Sequence, residues 1–282
     1  MCTLPVLNAV CRECYSPPEA VYEELKRKGM DLVTVSDHDS VEAAEDLRRH
    51  PDFFLSEEVT CHLPSGNELH IGVYDLAERH HVEIQRRRDD LPRLVAYLDA
   101  EELFYSVNHA FSALTGHRAL EDYDWIDRVF PAVEAVNGHV LERCNLLARR
   151  LADRSGKVML GGSDAHTLRS LGTASTRVPG ARNKTEFLEG LRRGKTFAEG
   201  ESGNFWKLTR DILHICGSLF NEKPLMGFLA PVALAVPAAA LLNYWIEDVF
   251  ARRWGSRWEQ SQGLGGASSP RRIRAASGEA AA

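Results

Sequence analysis

Residues able to bind metal ions recur along the first two-thirds of the chain, each at or just after a short apolar run. Asp37, His38 and Asp39 end "DLVTVSDHDS". Glu58 lies in "LSEEVT", His70 in "ELHIGVY" and His109 in "FYSVNHA"; Asp164 and His166 close "LGGSDAH". Imidazole and carboxylate together form a mixed nitrogen and oxygen shell suited to zinc, manganese or iron. A carboxylate such as Glu58 can bridge two ions and fix their separation. Two ions lower the pKa of a bridging water and clamp the oxygens of an in-line displacement. A single histidine after a strand is more often a hydrogen-bonded surface residue, and His70 or His109 alone would read that way. Asp164-Ala165-His166 is stronger, because Gly161 and Gly162 before it permit close backbone approach. The joint pattern is more specific than any member. His50, His62, His80, His81, His117, His139 and His214 lack this context and read as ordinary histidines, and "QRRRDD" at 85–90 reads as a solvated helix face.

The elements that must position these groups alternate over residues 17–200. Pro17-Pro18 opens a helix that Gly29 stops. A strand at 31–36 and a helix from Ser40 to Arg49 follow. Residues 53–60 and 68–74 read as two strands joined by the turn-rich "LPSGN", and 78–100 as a long helix interrupted at Pro92. Strands are expected at 103–110, 131–138, 157–166 and 173–178, with helices at 140–154 and 184–193. Repeated strand, loop and helix imply a mainly parallel sheet or barrel, in which functional groups collect at the C-terminal ends of strands.

The 282 residues are 44% hydrophobic and 26% charged, as in ordinary globular domains. A net charge of −6 gives no support for a broad nucleic-acid-binding surface, though it leaves room for a local cationic groove. Six scattered cysteines with no secretory signal before them argue against a disulfide framework. Cys11 and Cys14 form a lone Cys-x-x-Cys, which reads as incidental thiols more readily than as a zinc knuckle.

The character changes after residue 203. Residues 224–246, "PLMGFLAPVALAVPAAALLNYWI", carry no charge and are long enough to span a bilayer. Tyr244 and Trp245 sit at one end as interfacial aromatics do, and membrane helices tolerate Pro231 and Pro237. Arg252, Arg253 and Arg257 favour a cytoplasmic C-terminus, whereas the lack of an export signal favours a cytoplasmic N-terminal domain; a re-entrant or interfacial helix reconciles the two. The expected organisation is a catalytic domain over 1–202, a connecting amphipathic segment over 203–223, a membrane-associated helix over 224–246 and a basic, disordered tail over 247–282.

The ordered motifs resemble those of the PHP (polymerase and histidinol phosphatase) superfamily over about residues 15–200. "VSDHDS" is similar to its Thr-Asp-His-Asp motif and "SEEVT" to its Gly-x-Glu-Val/Ile-Ser/Thr strand, which makes Glu58 the match to the bridging carboxylate. "LHIGVY" resembles the later His-x-Leu-Gly element, "NHA" the His-Pro element and "GGSDAH" the Gly-Ser-Asp-Ala-His signature. The resemblance implies an α/β fold, a distorted TIM-like (β/α)7 barrel with a C-terminal apolar helix added. It implies His38, Glu58, His70, His109, Asp164 and His166 as ligands to two or three divalent ions (manganese, iron or zinc). It also implies hydrolysis of a phosphodiester or phosphomonoester by a metal-activated hydroxide. The substrate class includes nucleotides, short single-stranded nucleic acids and small phosphate esters; no protein partner is identifiable. Asp37 reads as a group orienting a ligand, Asp39 as the same or as facing substrate, and Asn137 as a phosphate contact at a strand end.

One motif is missing. The family opens with His-x-His shortly before the helix that matches "CYSPPEAVYEELKRKG", and "MCTLPVLNAVCREC" contains no histidine. The first strand is therefore degenerate or absent, and fewer ions are expected. The start is truncated or misassigned, or the chain is a degenerate member, or Cys11, Glu13 or Cys14 replaces the lost ligands. A catalytically degenerate, membrane-associated scaffold is the alternative function, and a metal-dependent amide or ester hydrolase a more distant third.

Overall fold

Strand parity sorts the side chains onto two faces. The computed structural model describes residues 14–264. Its principal sheet has strands β1 (Ser56–His62), β2 (Glu68–Tyr74), β3 (Phe104–Val107), β4 (Ala132–Asn137) and β5 (Val158–Gly162), in that spatial order. Successive residues of a strand point to opposite faces. One face carries Val59, Cys61, Leu69, Ile71, Val73, Tyr105, Val107 and Val133, all buried in the main apolar core. The other carries Glu58, His70, Ser106 and Glu134, also buried but polar. A smaller apolar cluster of Phe104, Ala132, Leu160, Leu188 and Leu191 closes off part of that second face.

The helices form because they supply the cover the first face needs. Helix α1 (Pro18–Arg27) starts on proline, has Glu19 in its first turn and Lys26 and Arg27 in its last, and buries Val21 and Leu25. The helix expected over 78–100, interrupted or restarted at Pro92, is two helices, α3 (Glu78–Gln85) and α4 (Leu91–Ala100), and α2, α5, α6 and α7 are Glu42–Glu45, Leu120–Val129, Glu142–Ser155 and Lys184–Arg192. Helix α4 restarts because the Asp90 carboxylate accepts from the Arg93 N–H and Pro92 suits the first turn. The left-handed Gly156 ends α6. Strands β6 (Ala174–Arg177) and β7 (Phe197–Gly200) make a separate antiparallel pair.

The sheet is mixed and not mainly parallel. Strands β1–β2 and β2–β3 pair antiparallel, whereas β3–β4 and β4–β5 pair parallel. The short "LPSGN" link, with Gly66 at φ 82°, forces the first hairpin; a parallel pair would need a crossover. The expected strand at 31–36 is reduced to parallel bridges of Val33 to Phe53 and His38 to Glu58. Among the described residues a complete TIM-like barrel is not seen: residues 30–38 on one side and β5, β6 and α7 on the other line a cleft instead of pairing across it.

Beyond β7, the expected connector 203–223 contains α8 (Phe205–Glu222), capped by the Asn204 side chain, which accepts from the Lys207 N–H. A 3-10 stretch (Pro224–Ala235) leads into α9 (Val236–Ser261). Residues 247–261, expected as tail, are therefore helical. Ala251 and Trp258 are buried in the main core, and Arg150 pairs with Glu259. The part of the expected tail over 265–282 lies outside the described residues. By length and composition alone, Pro224–Ser261 is long and apolar enough to cross a membrane, with a mean hydropathy of 2.2 in its most apolar window. Among the described residues Cys14, Cys61 and Cys144 are free thiols, and Cys11 lies outside them.

Strands β5 and β6 approach most closely at Gly161, where a Cβ would collide with the Ser175 carbonyl. Gly161→Ala is expected to cost about 1–3 kcal/mol through forced backbone movement. Urea unfolding of the two forms checks this; coincident midpoints would mean that the strands can separate without penalty.

Candidate metal centre

Glu58 is the hub of the polar face. Its Oε1 lies 3.2 Å from His109 Nε2 and 3.4 Å from His70 Nδ1, and its Oε2 lies 3.6 Å from His38 Nε2. The His70 and His109 ring nitrogens are themselves 3.2 Å apart. One donor atom from each of His38, Glu58 and His70 falls within 4.8 Å of the others.

Backbone pairing sets this convergence. The Glu58 N–H donates to Asp37 O (3.1 Å), and the Asp39 N–H donates to Glu58 O (2.9 Å), which fixes His38 beside Glu58. His70 stands opposite Thr60 on the β1–β2 ladder. His109 leaves the end of β3 with φ 29°, in the left-handed region, and its N–H donates to Glu134 Oε2 (3.0 Å). Asn108 donates from Nδ2 to Glu58 Oε1 (3.0 Å) and so fixes the carboxylate's orientation. A Cβ at Gly72 would lie 2.5 Å from the Tyr74 hydroxyl and 3.1 Å from Asn108 Oδ1, so the tight packing behind Glu58 requires glycine there.

Asp164 and His166 line the same cleft, of about 1520 Å³, as His38, Glu58, His109 and Glu134. They lie outside the compact group around Glu58. Asp164, at φ 46°, accepts on Oδ2 from Asn137 Nδ2 (3.1 Å), and His166 Nδ1 is 3.1 Å from Asp164 O.

The charges respond to this crowding. Burial opposes ionisation of Glu58, but hydrogen bonds from His109 and His70 prevail and hold its carboxyl well below the usual range. Burial likewise opposes the charge on His109, yet Glu58 raises its pKa to about 9. Burial pushes Glu134 up to about 7, with Asp164 adding to the shift and His109 opposing it. Asp164 is lowered: burial works against its charge, and His166 and His139 outweigh burial.

The donor set fits a divalent cation. Imidazole nitrogens and a carboxylate kept anionic converge in a buried site, and His109 Nδ1 is a buried ring nitrogen with no hydrogen-bond partner. His38, Glu58 and His70, with His109 against Glu58, would hold the ion, and Asp164 and His166 line the same cleft.

Two expected site residues have other work. Asp39 Oδ1 accepts from the Thr60 N–H (2.9 Å) and its Oδ2 pairs with Arg88 (2.7 Å), so its carboxylate staples a loop to β1 and does not face substrate. Arg88 thus belongs to an ion pair, where a solvated helix face was expected. Asn137 is 1% exposed. Both amide hydrogens go to Glu134 and Asp164, and its Oδ1 accepts from the N–H groups of His139 and Val140, which leaves no donor for a phosphate. Asp37 lines the cleft, and its backbone carbonyl holds Glu58. Cys14 lines the cleft as well, whereas Cys11 and Glu13 lie outside the described residues.

Sequence reasoning missed Glu134, Asn108 and the pairing of His139 Nε2 with Asp211 Oδ2 (3.2 Å). Glu134 had a legible signal, an acid inside the apolar strand "PAVEAVNG". The Asp211 contact had none, because it comes from α8, far along the chain.

Residues 142–196 match the family model described as PHP-associated. That segment holds α6, β5, the Asp164–His166 loop, β6 and α7. The match covers that segment and agrees there with the resemblance read from "GGSDAH". Among solved structures, PsfC from Pseudomonas syringae superposes with a TM-score of 0.54 at 16% identity, over 71% of this chain and 88% of PsfC. At that identity the likeness establishes a shared fold and nothing of activity. A proposed metal-dependent phosphoesterase from Bifidobacterium adolescentis gives 0.43 at 14% identity, over 64% of this chain and 92% of that one. The lesion-specific endonuclease PfuEndoQ from Pyrococcus furiosus gives 0.45 at 14%, over 65% of this chain and 54% of the endonuclease. No curated protein matches the chain.

A divalent ion bound through His109 would have to displace the proton that Glu58 stabilises there, at a pKa of about 9. Metal affinity is therefore expected to rise with pH between 6 and 9, by up to about tenfold per unit for each proton displaced. Manganese titration against a chelating dye at several pH values checks this, and a flat profile would exclude His109 from the ligand set.

Proposed function

We propose that the chain is a metal-dependent phosphoesterase that hydrolyses a phosphodiester or phosphomonoester. The observation that carries the reading is the convergence of His38, His70 and His109 on the buried Glu58 carboxylate, in a cleft also lined by Asp164 and His166. A divalent ion of the manganese, iron or zinc type would supply Lewis acidity toward phosphoryl oxygens. The chain's own residues do the rest. Glu58 presents a carboxylate kept anionic by its histidines, and Asn108 orients it. Glu134, with a pKa of about 7, can hold a proton near neutral pH beside the reacting groups. Arg177, Arg182 and Lys184 also line the cleft, Arg177 paired with Glu199 and Lys184 with Asp75, and a nucleotide or short single strand is the substrate class we favour.

The finer fold reading belongs to this proposal. A seven-stranded barrel would place its first strand between residues 30–38 and β5–β6, where the cleft separates two sheet edges. We take 1–202 as the phosphoesterase domain, facing the cytoplasm, with 224–246 holding it at a membrane. A second reading, a scaffold without turnover, is favoured by one observation: residues 1–37 contain no histidine.

Release of nitrophenolate from bis(p-nitrophenyl) phosphate by the full chain with manganese separates the two. Chelator-sensitive turnover is expected, and Glu58→Gln or Asp164→Asn is expected to lower it by at least about 10²-fold through loss of metal. Absence of turnover with manganese bound would favour the scaffold.

A further inference from the structure

The two loops that carry ligands beyond Glu58 are held by carboxylates from the two C-terminal helices. On α9, Glu247 is 5% exposed. Its oxygens accept from Ser112 Oγ (2.9 and 3.0 Å) and from the Ala113 N–H (3.1 Å), and the Ser112 N–H donates to His109 O (2.9 Å). On α8, Asp211 is 3% exposed. It accepts from Thr167 Oγ1 (3.2 Å) and from the Ser170 hydroxyl, and it pairs with His139. Thr167 directly follows His166. One turn before Asp211, Lys207 donates from Nζ to Gly138 O (2.5 Å) and Thr173 Oγ1 (2.7 Å). Both loops need such support, because His109 and Asp164 hold positive φ angles that L residues keep only when their surroundings impose them.

The outer side of the same helical pair is apolar and bare. Trp206 on α8, Leu225, Phe228 and Leu234 in the 3-10 stretch, and Leu241 and Trp245 on α9 are all more than half exposed. A lipid bilayer is the occupant that fits. Residues 224–246 carry no charge, and the run is about as long as a bilayer core requires. Tyr244 and Trp245 lie at its end, and Arg252, Arg253 and Arg257 follow, as at a lipid headgroup boundary.

We propose that the α8–α9 pair docks on a lipid bilayer, and that the docked pair holds the two ligand-bearing loops in place through Asp211 and Glu247. In water the bare apolar face favours other packings of these helices. Lipid binds only the arrangement that keeps the pair packed and so raises its population. That arrangement is the one in which both carboxylates reach their loops. The inference rests on the proposed function only for calling these loops ligand-bearing.

The test uses the full chain without metal, in chelator, with vesicles of phosphatidylcholine and phosphatidylglycerol. Flotation reads docking, and hydrogen exchange over 109–115 and 163–173 reads the loops. The chain is expected to float with the vesicles, and amide exchange in both loops to slow by about tenfold. Leu241→Glu with Trp245→Glu, both at exposed positions, is expected to abolish flotation and slowing together. Glu247→Ala is expected to float and to lose the slowing only over 109–115, with Glu247→Gln restoring it. Asp211→Ala is expected to lose it only over 163–173. Flotation without slowing would overturn the coupling. Failure to float would overturn the docking, and a dimer seen by light scattering would then make a second copy the occupant. Because the readout needs no metal, absent turnover would defeat the phosphoesterase reading and leave this one standing.

Discussion

A charged carboxylate buried among imidazoles is the constraint on which the rest depends. Glu58 is 8% exposed, and an isolated anion there would give up its charge. It stays ionised because His70 and His109 lie against it and Asn108 donates to it. His70 lies within β2, and Asn108 and His109 follow β3, so the sheet must hold β1, β2 and β3 in register before the charge is tolerated. Removing one partner would strand a buried charge, which typically costs about 3–5 kcal/mol. A divalent cation satisfies the same requirement more completely than histidine protons do.

The fold meets this requirement by giving its two sheet faces different tasks. The face under α3–α6 is mostly hydrocarbon, interrupted by the buried Glu57 that His81 and Gln85 satisfy, and supplies the stability. The opposite face carries the acids and imidazoles, and the small cluster around Leu160 and Leu188 limits their exposure to water. Backbone strain gathers where the polar face meets the loops: Asp39, His109 and Asp164 all adopt positive φ. Such conformations persist only where neighbours over-determine them. The hydrogen bonds of Asp39 to Thr60 and Arg88, of Glu247 to Ser112 and of Asp211 to Thr167 are those neighbours.

Much of this was legible in the sequence, and the exceptions share a physical cause. Strand β2 falls on the expected residues, because its alternation around His70 and Gly72 is unbroken. The ligand types at strand ends were legible because each follows an apolar run. The antiparallel pairing of β1 and β2 was legible too, since "LPSGN" is too short for a crossover, whereas the direction of β3 was not. The split of 78–100 was marked by Pro92, but the cap at Asp90 decides where the second helix begins. Asn137 was misread because its position at a strand end says nothing of how its four hydrogen-bonding positions are used. The roles of Lys207, Asp211 and Glu247 were illegible, since they depend on α8 and α9 folding back onto loops far away in sequence. Residues 247–261 read as tail from their charge alone, whereas Ala251 and Trp258 anchor them in the core.

The most direct test of this account is the metal content per chain, by elemental analysis, of protein purified from cells supplied with manganese, iron and zinc, with Glu58→Gln prepared alongside. The account predicts at least one tightly held equivalent in the natural sequence and loss of that ion in the variant, whose neutral amide cannot replace the anion at the centre of three histidines. A natural chain free of metal, or a variant that retains its full complement, would contradict it.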